Sequence, residues 1–248
     1  MAIDYVVDLD CPPKQALTVE RMVGLIKSRN QALAIMEMAR NRGDLRPPEQ
    51  ITFTRMVMRP QGAVEEKVNV KTLLAQSQDL EEHAGHCQGC KANLPARPFG
   101  CYGSIAYPIR ARAEQWLMAQ LPDSLESPAG YLLRSAVRDF KYTGGMFLDM
   151  RPKENFFESR TPIKRKWGSW LSGWTLTSDQ LLHMLFGLGN LQPSHCKMMA
   201  LILGLIETGA ETPDRPSPTP EDHADQLAHG LNAVALAGSL EVNLLVDA

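Results

Sequence analysis

Between residues 83 and 101 the chain gathers side chains that bind metals and almost none that build a core. The run reads Glu82-His83-Ala84-Gly85-His86-Cys87-Gln88-Gly89-Cys90 and, a few residues on, Phe99-Gly100-Cys101-Tyr102-Gly103. Five of the eleven Cys and His residues in 248 fall within these 19 positions. Such a stretch buries too little apolar surface to hold its own shape, so it needs a cross-link. A disulfide is disfavoured, because the N-terminus Met1-Ala2-Ile3-Asp4-Tyr5-Val6-Val7-Asp8 has neither a basic start nor a long apolar run and so does not read as a secretory signal. A metal ion is the expected cross-link.

Zinc takes four soft or borderline ligands in a tetrahedron. Cys87 and Cys90 form a C-x2-C pair, and Gly89 lets the chain turn tightly between them. Cys101 would be the third ligand, with His83 or His86 the fourth. His83 stands four residues before Cys87 and shares a face with it if a helix leads in. His86 is adjacent to Cys87, which is harder geometrically, so His83 is favoured while His86 stays open. Iron–sulfur chemistry would want a fourth nearby cysteine, but Cys11 and Cys196 are distant in sequence. Three cysteines and one histidine close the coordination sphere, which points to a structural ion rather than a catalytic one with an open position. No H-x-E with P-C-x-x-C pairing of the zinc deaminases is present.

The rest of the chain mixes strand and helix patterns without regular alternation, which predicts an α+β fold with a loop-rich zinc knuckle over 83–108 and a helical C-terminal half. Residues 3–9 read as a strand. Thr18 caps a helix that runs to Arg40 and ends at Gly43. Residues 51–58 and 64–70 read as a hairpin turning at Arg59-Pro60-Gln61-Gly62. A short helix or irregular lead-in fills 72–82. Further helices are expected over 110–121 and over 128–140, the latter with Ser127 as cap and Pro128 at its first position. Two more follow: one capped at Thr177 or Ser178 and running through Leu185, and one over 194–206. A helix over 224–240 and a strand over 241–246 close the chain. The main domain is expected over 1–206, followed by a Pro-rich acidic loop over 207–222 and a C-terminal helix and strand over 223–248 that return to it. No G-x-G-x-x-G or G-x-x-x-x-G-K-[ST] occurs.

Charge is uneven. The net value is −2, so the whole chain is no polycation built to coat nucleic acid. Residues 134–167 carry nine Lys and Arg against four acids, or +5, whereas from Glu207 onward one arginine faces eight acids, or −7. Lys164, Arg165 and Lys166, with Trp167, Trp170 and Trp174 after them, would make residues 151–174 a candidate surface for nucleic acid or another polyanion. The alternative is a solvated basic loop anchored by its tryptophans. Asp8 and Asp10 at a strand end read as a stop signal. His195-Cys196 reads as a cap histidine beside a buried thiol, because neighbours on a helix point about 100° apart. No run reaches the roughly 18 apolar residues of a spanning helix. The sequence thus predicts a cytoplasmic, zinc-stabilised scaffold or interaction protein within a larger assembly, partnered by another protein. A metal-dependent enzyme and a polyanion binder are the alternatives.

Overall fold

A computed structural model describes residues 2–59, 62–94, 98–153, 155–169, 171–206 and 224–247. It is an α+β protein built as two compact units: one of residues 1–9, 94–96 and 100–248, the other of residues 10–93 and 97–99. The acidic loop expected over 207–222, the turn residues Pro60 and Gln61, and Trp170 lie outside the described residues.

In the first unit, β1 (Ala2–Val7) is the centre of a three-stranded antiparallel sheet. One neighbour is β4 (Tyr102–Ala106), with Ile3 opposite Ile105 and Val6 opposite Tyr102. The other is β7 (Leu244–Asp247), with Tyr5 opposite Val246. β1 is apolar at nearly every position because both of its edges and most of its side chains are covered. Its one acid, Asp4, is buried and accepts a hydrogen bond from Tyr102 Oη at 2.7 Å. Helix α10 (Ala224–Leu240) lies against all three strands, and α9 (Pro193–Ile202) lies against α10. Around them stand α5 (Ala111–Ala119), α6 (Pro128–Phe140), α7 (Gly145–Met150) and α8 (Ser178–Phe186), with a small hairpin of β5 (Lys164–Trp167) and β6 (Trp174–Thr177).

Several boundaries follow from local chemistry. Ser127 Oγ accepts from Gly130 N at 3.1 Å at the start of α6, and Pro128 occupies the first turn. α8 opens on a full capping box: Thr177 Oγ1 accepts from Gln180 N, and the Gln180 side chain accepts in return from Thr177 N.

The second unit starts with the six-residue α1 (Pro12–Leu17) and the long α2 (Val19–Asn41), whose Thr18 cap accepts from Arg21 N at 3.4 Å. Gly43, at φ 76°, follows it. The hairpin β2 (Thr52–Arg59) and β3 (Gly62–Asn69) comes next, then α3 (Val70–Gln76) and α4 (Asp79–Ala84). Ala32, Ile35, Ile51, Val70 and Leu73 form the core of this unit, with Phe53 and Val68 of the hairpin against it.

The structure corrects the sequence reading in three places. Residues 102–106 are strand β4 rather than the end of a knuckle, because their backbone pairs with β1. Gly103 sits opposite Tyr5, where a Cβ would collide with the phenol ring, so its strand role leaves no apolar mark in the sequence. Residues 141–177, to which the sequence pattern assigned no strand or helix, contain α7 and the β5–β6 hairpin. Ahead of the helix expected from Thr18, Pro12 and Pro13 begin a further short helix that the sequence pattern did not mark. Among the described residues no helix is long and apolar enough to cross a membrane.

Candidate metal centre

The C-x2-C pair sits on a type II β-turn in the second unit. Gln88 has φ −67° and ψ 123°, Gly89 has φ 72°, and Cys90 N–H donates to Cys87 C=O at 3.2 Å. The third turn position needs positive φ, which explains the glycine. Asn93 Nδ2 donates to the same Cys87 carbonyl at 3.3 Å, and Asn93 N–H to Cys90 C=O at 3.0 Å, so the turn is held from its far side.

Helix α4 leads into this turn through a 3-10 turn over Gly85–Cys87. His83 is half-buried at the end of α4 and His86 is exposed on the 3-10 turn, with ring centroids 6.4 Å apart. Cys87 is buried, and its Sγ accepts a hydrogen bond from Phe99 N–H at 3.2 Å. Phe99 reaches that position with φ 62°, a left-handed conformation that costs a non-glycine residue about 1 kcal/mol or more. Its ring is buried, with the Arg29 guanidinium 5.5 Å from the centroid. A backbone amide aimed at sulfur is the kind of donor that supports a thiolate.

Burial pushes the Cys87 thiol up, the Phe99 amide and Arg29 pull it down, and the nearby Cys90 and Cys11 thiols push it up further. Cys87 therefore holds its proton more tightly than an ordinary thiol, and a divalent ion would reverse that balance.

Cys101 belongs to the first unit, where it is buried and its carbonyl accepts from Val7 N–H at 2.9 Å. No disulfide joins any of the five cysteines. Among the described residues, no three Cys, His, Asp or Glu side chains stand preassembled as a metal-binding group. What the structure brings together in one unit is Cys87 and Cys90 on a shared turn, with His83 and His86 just ahead of it.

The basic segment is tied down at Arg165 and Trp167. Arg165 donates to the carbonyls of Met118 and Leu121 at 3.1 and 2.8 Å and to Asp123 at 2.9 Å, with its guanidinium 5.0 Å from the Trp167 ring. Trp167 is buried, and its Nε1 donates to Pro122 C=O at 3.1 Å. Strand alternation turns Lys164 and Lys166 out to solvent and Arg165 and Trp167 inward. Of the other residues weighed from the sequence, Cys196 is fully buried and burial pushes its thiol up to about 11, so it is no nucleophile near neutral pH. His195 Nε2 lies 2.7 Å from the Met184 carbonyl.

Sequence reasoning passed over the most elaborate polar cluster in the first unit. Arg151, Glu114, Asp179 and Ser178 are all buried. Arg151 donates to both Asp179 oxygens through Nε at 3.0 and 3.2 Å, to Glu114 at 2.7 and 3.2 Å, and to the Ser159 carbonyl at 2.8 Å. Ser178 Oγ donates to Glu114 at 2.6 Å, and the guanidinium lies 3.9 Å from the Phe157 ring centroid. Two signals were available. Glu114 stands three and four residues before the buried Leu117 and Met118, and Asp179 three before the buried Leu182. An acid on the apolar face of a helix implies a buried partner.

No protein-family model, curated protein or solved structure matches the chain.

Proposed function

We propose that this chain is a zinc-stabilised scaffold or interaction protein that works within a larger assembly and is partnered by another protein. One observation carries the reading. A two-cysteine type II turn, a glycine where the turn needs one, and a strained residue presenting its amide to Cys87 Sγ together would suit a thiolate-bound cation. The donor set suits zinc: thiolates from Cys87 and Cys90, with a neutral imidazole from His83 or His86. The sequence also offers Cys101 as a ligand. Such an ion would act by locking a segment whose sequence offers few apolar side chains.

The burial of the other chemically capable groups favours a structural role over a catalytic one. Cys196 and the Arg151 cluster are closed to solvent. A protein partner is supported by exposed apolar side chains on α2 of the second unit, Leu33 and Met38. A groove of about 470 Å³ between α2 and α3, lined by Leu33, Leu74, Arg29 and Lys71, adds to them.

Metal analysis of the purified full chain provides the test. About one equivalent of zinc is expected, lost in Cys87→Ser and Cys90→Ser, and the chelated protein should melt at a lower temperature than the loaded one. Less than about half an equivalent after purification in zinc-supplemented buffer would overturn the reading.

A further inference from the structure

A β-turn with cysteines at its first and last positions sets two side chains at the spacing of a disulfide. The Cys90 N–H bond to the Cys87 carbonyl closes such a turn, which holds the two Cα atoms within about 7 Å. Disulfides span Cα separations of about 4.4–6.8 Å. Gly89 at φ 72° and both Asn93 hydrogen bonds fix the backbone of the turn, so bringing the sulfurs together asks mainly for side-chain rotation. The two thiols have different surroundings. Cys90 is half-exposed and open to a solute, whereas Cys87 is buried with its Sγ on the Phe99 amide. Cys101 and Cys196 are buried in the first unit, and no turn joins Cys11 to Cys90 in this way.

We infer that Cys87 and Cys90 are a redox-active dithiol, closed to a disulfide by a small disulfide such as oxidised glutathione. The accessible Cys90 sulfur attacks one glutathione sulfur, the glutathione S–S bond breaks, and a mixed disulfide forms at Cys90. Cys87 then attacks the Cys90 sulfur and the second glutathione leaves. One protein S–S bond forms as one glutathione S–S bond is lost. The protein gives up two electrons, and its two thiol protons end on the two reduced glutathiones. A turn fixed by folding favours the ring-closed product, because the entropy of bringing the two sulfurs together is already spent. The inference stands on the turn and not on the zinc reading. One consequence alone rests on that reading: a closed disulfide withdraws both sulfurs from a cation, so oxidation would release it.

The test uses the full chain, freed of metal by chelation and equilibrated with glutathione buffers of increasing oxidised fraction. Free thiols are alkylated, and the pairing is read by peptide mass mapping. The folded chain should form the Cys87–Cys90 disulfide with an equilibrium constant at least about tenfold above that of the same chain unfolded in urea. Cys87→Ser should accumulate glutathione on Cys90, because the thiol that resolves the mixed disulfide is gone. Two free thiols in excess oxidised glutathione, a disulfide from Cys90 to Cys11 or to a second chain, or an equilibrium no more favourable than in the unfolded chain each overturn the inference. Zinc analysis keeps the two readings apart. A chain that takes up no zinc but closes the disulfide loses only the zinc reading, and a chain that takes up zinc but never closes loses only this inference.

Discussion

Arg151 shows how much one side chain can hold. Its guanidinium sits between two buried carboxylates, Glu114 and Asp179, so the cluster carries a net charge of −1 with almost no access to water. Hydrogen bonds and the attraction of both acids outweigh the cost of burying the cation and keep Arg151 charged. Asp179 also lies in the first turn of α8, where the helix N-terminus offsets part of the excess negative charge. The cluster ties α5, α7 and α8 to the chain ahead of β5 through Ser159 and through Ile163, whose N–H donates to Ser178 Oγ at 3.1 Å. Arg151→Met leaves two buried carboxylates without their counter-charge. The expected loss is about 3–5 kcal/mol, measured as a lower urea midpoint. Arg138→Met breaks an exposed pair and should shift stability by no more than about 0.5 kcal/mol. Adding Glu114→Gln to Arg151→Met should recover part of the loss, because removing a buried charge relieves the fault created by the first change. Additive losses from the two substitutions would show that the cluster does not act as a unit.

At the scale of elements, α10 meets α9 closely at Gly238, one of its buried positions. A Cβ at Gly238 would come within 2.7 Å of Lys197 N and 2.9 Å of its Cα, which are backbone atoms that cannot step aside. Alanine gains about 1 kcal/mol of helix propensity over glycine, but overpacking costs about 1–3 kcal/mol. Gly238→Ala should therefore lower the melting temperature despite the better helix former. Gly24→Ala, in the middle of α2 with nothing within 4 Å of the new Cβ, should raise it. A stabilising Gly238→Ala would mean the two helices can part without penalty. Helices with strong local punctuation were legible in the sequence: α6 from Ser127-Pro128, α8 from a cap at Thr177 or Ser178, α2 from Thr18 and Gly43. The elements that escaped have identities set by distant partners. β4 is a strand because β1, about a hundred residues earlier, pairs with it, and the four-residue strands β5 and β6 exist through each other. The turn at Cys87–Cys90 could be read from its glycine. The strained Phe99 that completes it could not, because only the folded chain shows where that amide points.

For the whole molecule, burial of neutral titratable groups sets the pH range over which the fold is most stable. His183 and His195 are both held below their ordinary value of 6.5, in each case chiefly by burial. His183 Nδ1 is buried without a hydrogen-bond partner, and its ring lies beside Tyr142, with centroids 5.7 Å apart. The unfolded chain thus takes up protons before the native one as pH falls below 6.5, and stability declines from there downward. On the alkaline side stability again declines, now because the native state holds its protons longer. Burial raises Cys196 from 9.0 to about 11, and burial together with the Asp4 carboxylate raises Tyr102. The unfolded chain loses those protons first, so the contribution of Cys196 is complete below pH 9 and is lost as pH climbs toward 11. The melting temperature should therefore hold a plateau between about pH 6.5 and 9 and fall on both sides. Substituting the groups tests the assignment limb by limb. His183→Gln should flatten the acid limb just below about pH 6.5 and leave the alkaline limb alone, while Cys196→Ala should flatten the alkaline limb even if it lowers the plateau. Two variants with the wild-type slope on both limbs would place the pH dependence in other groups.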